Sequence, residues 1–164
     1  MSLSQKIQPL MPIAEARAAE PVVCQVAGLC WRQSEGRIEV LLVSSRDTGR
    51  WILPKGWPLR GRDAAASALR EAFEEAGVEG KAATHPVGRY PYVKVVGADS
   101  GFPCEVAVYP IEVRRLRDSF PERNQRRRKW FAAEIAAEKV DEPELGALIR
   151  GFAGRFASRP AGTP

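Results

Sequence analysis

A mixed domain of the α/β (α+β) class is what the sequence predicts, on three observations. Two apolar runs on either side of a turn mark a β-hairpin near the start, a helical apolar stripe runs through residues 63–76, and two more helical segments close the chain. At 164 residues the chain has the length of one domain and is long enough to bury a core without disulfides or a structural metal. Its 45% hydrophobic and 27% charged residues are near the globular average, which excludes wholesale disorder and fibrous repeats.

Residues 1–20 combine Pro9, Pro12 and an alanine-rich stretch without periodicity, and are expected to form an arm ordered only in part. The compact domain is expected over residues 21–156, with a loose tail at 157–164. Residues 22–31 and 38–43 are strand-like around the turn at 33–36. A short third strand at 51–53 runs into Pro54-Lys55-Gly56-Trp57-Pro58, where two prolines and a glycine force a loop. Asp63 then suits a helix N-cap, and Ala65, Ala68, Leu69, Ala72, Phe73 and Ala76 recur at i, i+3, i+4 spacing on one face, with Gly77 as the stop. Beyond it, residues 85–96 and 104–113 are expected as strands around a turn region at 97–103. A basic connector follows at 114–129, then a short helix at 132–139 and an amphipathic helix at 142–156.

Twenty-five Lys and Arg against twenty Asp and Glu leave a net charge of +5, which favours anionic partners: phosphate-rich ligands, nucleic acid or acidic lipid. Cys24, Cys30 and Cys104 are odd in number and lack CxxC spacing, so they are expected as core thiols of a reduced, cytoplasmic protein. No apolar run has signal-peptide length or reaches the roughly 20 residues needed to span a bilayer, so no membrane partner is expected. The single histidine, His85, excludes mechanisms built on paired imidazoles, and beside Pro86 it reads as a turn or strand-end residue. Nothing in the sequence sets an oligomeric state.

Chemistry concentrates on the 63–76 helix. At 100° per residue, Glu71, Glu74 and Glu75 share a sector about 100° wide, opposite the stripe of Leu69, Ala72, Phe73 and Ala76. Like charges at i, i+3 and i, i+4 repel, and in the last turn the helix dipole also disfavours negative charge. Arg70 is one charge against three. The alternatives are an ordinary acidic solvated face or a site for an external cation. Carboxylates without His or thiolate favour Mg2+, with Mn2+ possible, over zinc.

The loop Gly56-Trp57-Pro58-Leu59-Arg60-Gly61-Arg62 and the run Arg70-Glu71-Ala72-Phe73-Glu74-Glu75-Ala76-Gly77-Val78 together resemble the signature of the Nudix hydrolases. That signature is a glycine, five residues, a glutamate, seven residues, Arg-Glu, an aliphatic position, any residue, Glu-Glu, any residue, Gly and an aliphatic. Every fixed position is matched except the first glutamate, which is replaced by Arg62. Ser44-Ser45-Arg46, Arg50-Trp51-Ile52-Leu53-Pro54 and Arg127-Arg128-Lys129-Trp130-Phe131 further resemble the diphosphoinositol polyphosphate phosphohydrolase branch, which also acts on diadenosine polyphosphates.

The resemblance implies a mixed β-sheet sandwiched between helices and a Mg2+-dependent hydrolase of a phosphoanhydride. By position, Glu71 and Glu75 would be metal ligands, the backbone carbonyl of Lys55 or Gly56 would complete the shell, Glu74 would be the catalytic proton acceptor, and Arg70 would support the site. Substrate phosphates would be met by Arg46, Arg50, Arg127 and Arg128, and by Lys55, Arg60 and Arg62 in the loop. An arginine at position 62 cannot ligate a cation, and it is expected instead to grip a phosphate chain. Residues 114–129 carry eight basic and two acidic residues, so their +6 exceeds the charge of the whole chain. Arginines here suit bidentate phosphate recognition, or form a solvated loop whose Trp130 and Phe131 anchor the next helix. The rival readings are a pyrophosphohydrolase of RNA 5′ ends or nucleoside diphosphate sugars, and a non-catalytic regulatory or RNA-binding protein. Nucleic acid is thus an open but not favoured partner beside a phosphate-rich small molecule, and no Walker loop or GxGxxG fingerprint is present.

Overall fold

The computed structural model describes residues 10–157; of the tail expected at 157–164, Ala157 belongs to the last helix and the rest lies outside them, as do the first nine residues of the arm. The chain runs β1 (Met11–Pro12), α1 (Ile13–Ala18), β2 (Val22–Ser34), β3 (Arg37–Ser44), β4 (Trp51–Ile52), β5 (Lys55–Gly56), α2 (Ala64–Ala76), β6 (Val78–Ala82), β7 (Gly88–Val96), β8 (Ser100–Leu116), β9 (Arg128–Ala132), α3 (Ala133–Lys139) and α4 (Pro143–Ala157). Part of the expected arm is therefore built in: Met11 and Pro12 pair with Gly101 and Ser100, and α1 follows directly.

The nine strands of the described residues form one mixed sheet. At its centre β2 and β8 run parallel from Val22↔Cys104 to Trp31↔Glu112. The other edge of β2 carries β3 and β5 antiparallel, and the outer edge of β8 carries β7 and β6. Alternation along the central strands sends neighbours to opposite faces. Leu41 and Val43 join Cys30, Ile111, Ala72 and Ala76 under α2, while Val40 and Leu42 join Leu29, Val106, Leu145 and Ile149 under α3 and α4. Both faces are covered, which is why residues 40–43 read as an unbroken apolar run. The mixed sheet sandwiched between helices is as expected.

Several connections differ from the expectation. Lys55-Gly56 is not only loop but a two-residue strand opposite Val26 and Ala27. Strand β6 was not anticipated, because Val78-Glu79-Gly80-Lys81-Ala82 has a glycine and two charges among five residues, and its register shifts between Glu79 and Gly80. Strand β8 starts at Ser100 rather than 104, since the hairpin turn takes only residues 97–99. The end of the basic connector becomes β9, which pairs Arg128–Ala132 with β3 through backbone groups that side-chain charge does not reveal. Phe131 is buried and meets Trp51 edge-on, as its anchoring role requires.

The expectation of three thiols is corrected. Cys24 and Cys104 form a disulfide, with Cα atoms 5.6 Å apart across the β2–β8 pair and 80 residues apart in sequence. Only Cys30 is a free thiol among the described residues, and burial pushes its pKa up. His85 is exposed, beside Thr84. No helix among the described residues is long and apolar enough to cross a membrane.

Helix α2 is closed at both ends as its sequence requires. Asp63 accepts from the Ala66 amide at 2.7 Å, and Gly77 ends the helix at φ 68°, its amide reaching Phe73 O at 2.9 Å. A Cβ on Gly77 would also lie 2.8 Å from Arg117 O and 2.6 Å from Phe120 Cδ1. Gly36 has the same handedness, φ 76°, with nothing within 4 Å. Gly77→Ala is therefore expected to lose about 2–3 kcal/mol in urea denaturation and Gly36→Ala about 1 kcal/mol. Equal losses would remove the steric role assigned to Gly77.

Candidate active site

The stop at Gly77 places Glu71, Glu74 and Glu75 in the last turns of α2, where the helix terminus adds to their mutual repulsion. Glu75 is only 6% exposed. Its Oε1 accepts from the Lys55 amide at 3.3 Å, and its Oε2 lies 3.5 Å from Arg126 Nη2. Gly56 is pressed against Glu71: a Cβ there would overlap the carboxyl carbon and both oxygens. A glycine at this position thus lets a carboxylate approach the β5 backbone. The cradle and the acid are contributed by the two halves of one sequence motif.

Two residues outside that motif complete the cluster. Glu122 is tied to the helix by its amide, which donates to Glu74 O at 3.0 Å, and its carboxylate accepts from Arg126 Nε at 2.9 Å. The Arg126 side chain is 7% exposed and donates further to Ser44 O at 3.1 Å. Ser44 Oγ in turn accepts from the Arg127 amide at 2.8 Å. The end of β3, the end of α2 and residues 122–127 are therefore laced around one guanidinium. Glu122 is one of two acids in a basic connector and carried no periodicity. Arg126 was indistinguishable from the three bases after it.

Burial raises the Glu75 pKa to about 8; Arg126 opposes the shift, while Glu71 and Glu122 add to it. One guanidinium is shared too widely to offset burial and two neighbouring acids. Glu71 is raised by burial and by the charge of Glu74, against a hydrogen bond with Glu75. Burial and the charge of Lys94 lower Lys55 to about 8.

The other expected site residues are dispersed. Glu74 is paired with Arg70 at 2.8 Å. Arg46 donates to Gln125 at 3.3 Å and lies 3.9 Å from Glu122, at the margin of the cluster. Arg127 lies over the Trp51 ring at 5.0 Å. Arg60 and Arg62 are exposed on the loop before α2. Arg50 is committed to Glu142 and Asp141, at 3.2 and 3.5 Å. Arg128 caps α2, donating to Ala76 O at 2.7 Å and to Arg117 O at 2.8 Å. Lys55 turns its ammonium away over Tyr92, 4.3 Å from the ring centre.

Among the described residues no three Asp, Glu, His or Cys side chains are already drawn together as a metal cage. Arg70 and Arg126 hold the acids instead. The donor set nonetheless fits a hard divalent cation: Glu71, Glu75 and Glu122 offer oxygen only, and burial together with neighbouring acids pushes Glu71 and Glu75 towards protonation.

Comparison with known proteins agrees with this geometry. The family model of the NUDIX domain matches residues 24–152. Nudix hydrolase 16, mitochondrial, of Arabidopsis thaliana is 34% identical over 70% of this chain and 66% of its own length. Diphosphoinositol polyphosphate phosphohydrolase 3-alpha of Homo sapiens is 37% identical over 68% of this chain and 65% of its own. The chain thus spans just under two thirds of these relatives' length. A crystal structure of a C. elegans Ap4A hydrolase binary complex superposes with a TM-score of 0.66 at 26% identity, over 84% of this chain and all of that one.

The raised Glu75 pKa carries a stability consequence. Between about pH 4.5 and 8 the unfolded chain has released this proton and the folded chain retains it, so metal-free stability falls as pH rises and levels off above 8. In EDTA the melting temperature of the parent is expected to fall by about 5 °C more between pH 5 and 8.5 than that of Glu75→Gln. Parallel curves for the two proteins would contradict the assignment.

Proposed function

The chain belongs to the Nudix family, and on that premise we propose that it is a Mg2+-dependent hydrolase of a phosphoanhydride bond in a diphosphoinositol polyphosphate or diadenosine polyphosphate substrate. The observation that carries the proposal is the placing of Glu71 against the Gly56 backbone and of Glu75 on the Lys55 amide, with Glu122 joined to Glu75 through the shared Arg126. The names of the human relative and of the C. elegans structure support the two substrate classes. The Cys24–Cys104 disulfide removes the thiol argument for a cytoplasmic location, and two relatives are named mitochondrial, so no compartment forms part of the proposal.

Glu71 and Glu75 would hold the ion, with Glu122 as a third carboxylate within reach and the carbonyl of Lys55 or Gly56 completing its shell. When bound, the ion supplies charge neutralisation at the scissile phosphates and a water of lowered pKa. Glu74 accepts the proton of the attacking water, and Arg70 at 2.8 Å holds its carboxylate in place for that task. Arg126 is the internal counter-charge of Glu75 and Glu122, and Arg46 at the cluster's margin meets the phosphate chain, with Arg127, over Trp51, as a further phosphate contact. Exposed Arg60 and Arg62 extend this positive rim on the loop side.

An extended nucleic-acid face is the weaker reading. Arg114 pairs with Glu112, Arg115 and Arg117 with Glu79, and Arg128 with the helix end, so these connector charges are matched locally rather than ranked in one stripe.

With Mg2+, Glu71→Gln and Glu75→Gln are each expected to lower kcat about 100-fold or more on the substrate that the parent cleaves. Cleavage of nucleoside diphosphate sugars alone, within a panel that includes both proposed classes, would overturn the substrate assignment. Arg62→Glu is expected to raise KM several-fold with kcat little changed. An unaltered KM would leave Arg62 without a role in binding.

A further inference from the structure

The segment that carries Gly56 builds a second feature on the other face of the sheet, where the reaction as proposed uses nothing. Lys55 lies over Tyr92, which packs against the α3–α4 core. Two residues on, Trp57 meets Phe102, with ring centres 6.2 Å apart and planes at 35°. Phe102 stands directly across from Lys94, and Lys94 is two residues along β7 from Tyr92, hence on the same face. Residues 55 and 57 therefore touch neighbouring positions of the β7–β8 hairpin in the same order. The result is a strip in which two ammonium groups alternate with aromatic rings.

Trp57 remains 42% exposed although Phe102 backs it. A large apolar ring that stays half-open, tilted against a partner and flanked by lysines offers a face to a second planar ring attached to anions. A polyol has no such ring and gains nothing from the platform. We infer that Trp57, backed by Phe102, stacks the nucleobase of a nucleotide substrate while Lys55 and Lys94 face the phosphates nearest it and the rest of the phosphate chain passes the Gly56 edge to the acids of α2, so that the chain favours dinucleoside polyphosphates over base-free inositol pyrophosphates. The substrate preference rests on the hydrolytic reading above; the stacking does not.

Two measurements test this. Without metal, in EDTA, diadenosine tetraphosphate is expected to quench tryptophan fluorescence saturably in the parent and far less in Trp57→Phe, and tripolyphosphate is expected to quench neither. With Mg2+, Trp57→Ala is expected to lower the ratio of kcat/KM for diadenosine tetraphosphate to that for a diphosphoinositol polyphosphate about tenfold, with Trp57→Phe restoring most of it. An unchanged ratio overturns the inference, as does quenching that is the same in Trp57→Phe or with tripolyphosphate. If the parent cleaves neither substrate, the hydrolytic reading fails, and the quenching alone decides whether the platform exists.

Discussion

Two carboxylates at a helix end, Glu71 and Glu75, are held against a sheet strand, and a buried guanidinium joins Glu75 to a third acid, Glu122. Glu75 is buried, Glu71 is pressed on Gly56, and Glu122 is fastened to α2 by its amide. The raised carboxyl pKa values follow from burial first and from this crowding second. An arrangement so short of positive charge is costly to the folded chain, and such cost is commonly found where function requires it.

The sheet explains why the acids meet there. Parallel pairing of β2 with β8 buries both faces, so α2 takes one face and α3 with α4 the other. Strand β5 docks on the free edge of β2 opposite Val26 and Ala27, which sets Gly56 beneath α2 and turns Lys55 and Trp57 towards the β7–β8 hairpin. Two residues of strand thus serve both faces. The 122–127 segment reaches the site because β9 pairs with β3, and Ser44, the last residue of β3, receives it.

Much of this was legible in the residues, where the signals were local. The cap at Asp63, the stop at Gly77 and the spacing of the glutamates described α2 and its acidic face, and the first hairpin was marked by its turn. Contacts set by distant backbone pairing were not legible. Nothing local announces that Glu122 returns to α2, that Arg126 is buried while Arg127 is exposed, or that Cys24 faces Cys104 across 80 residues. Arg50 and Arg128, which read as phosphate ligands by their charge, are held by Glu142 and by the end of α2, partners that only the fold supplies.

Calorimetric titration of magnesium into the metal-free protein tests the central claim most directly. The account predicts saturable uptake of at least one ion, lost when Glu71 and Glu75 are both replaced by glutamine. Absence of any uptake, even with a dinucleoside polyphosphate present, would contradict it.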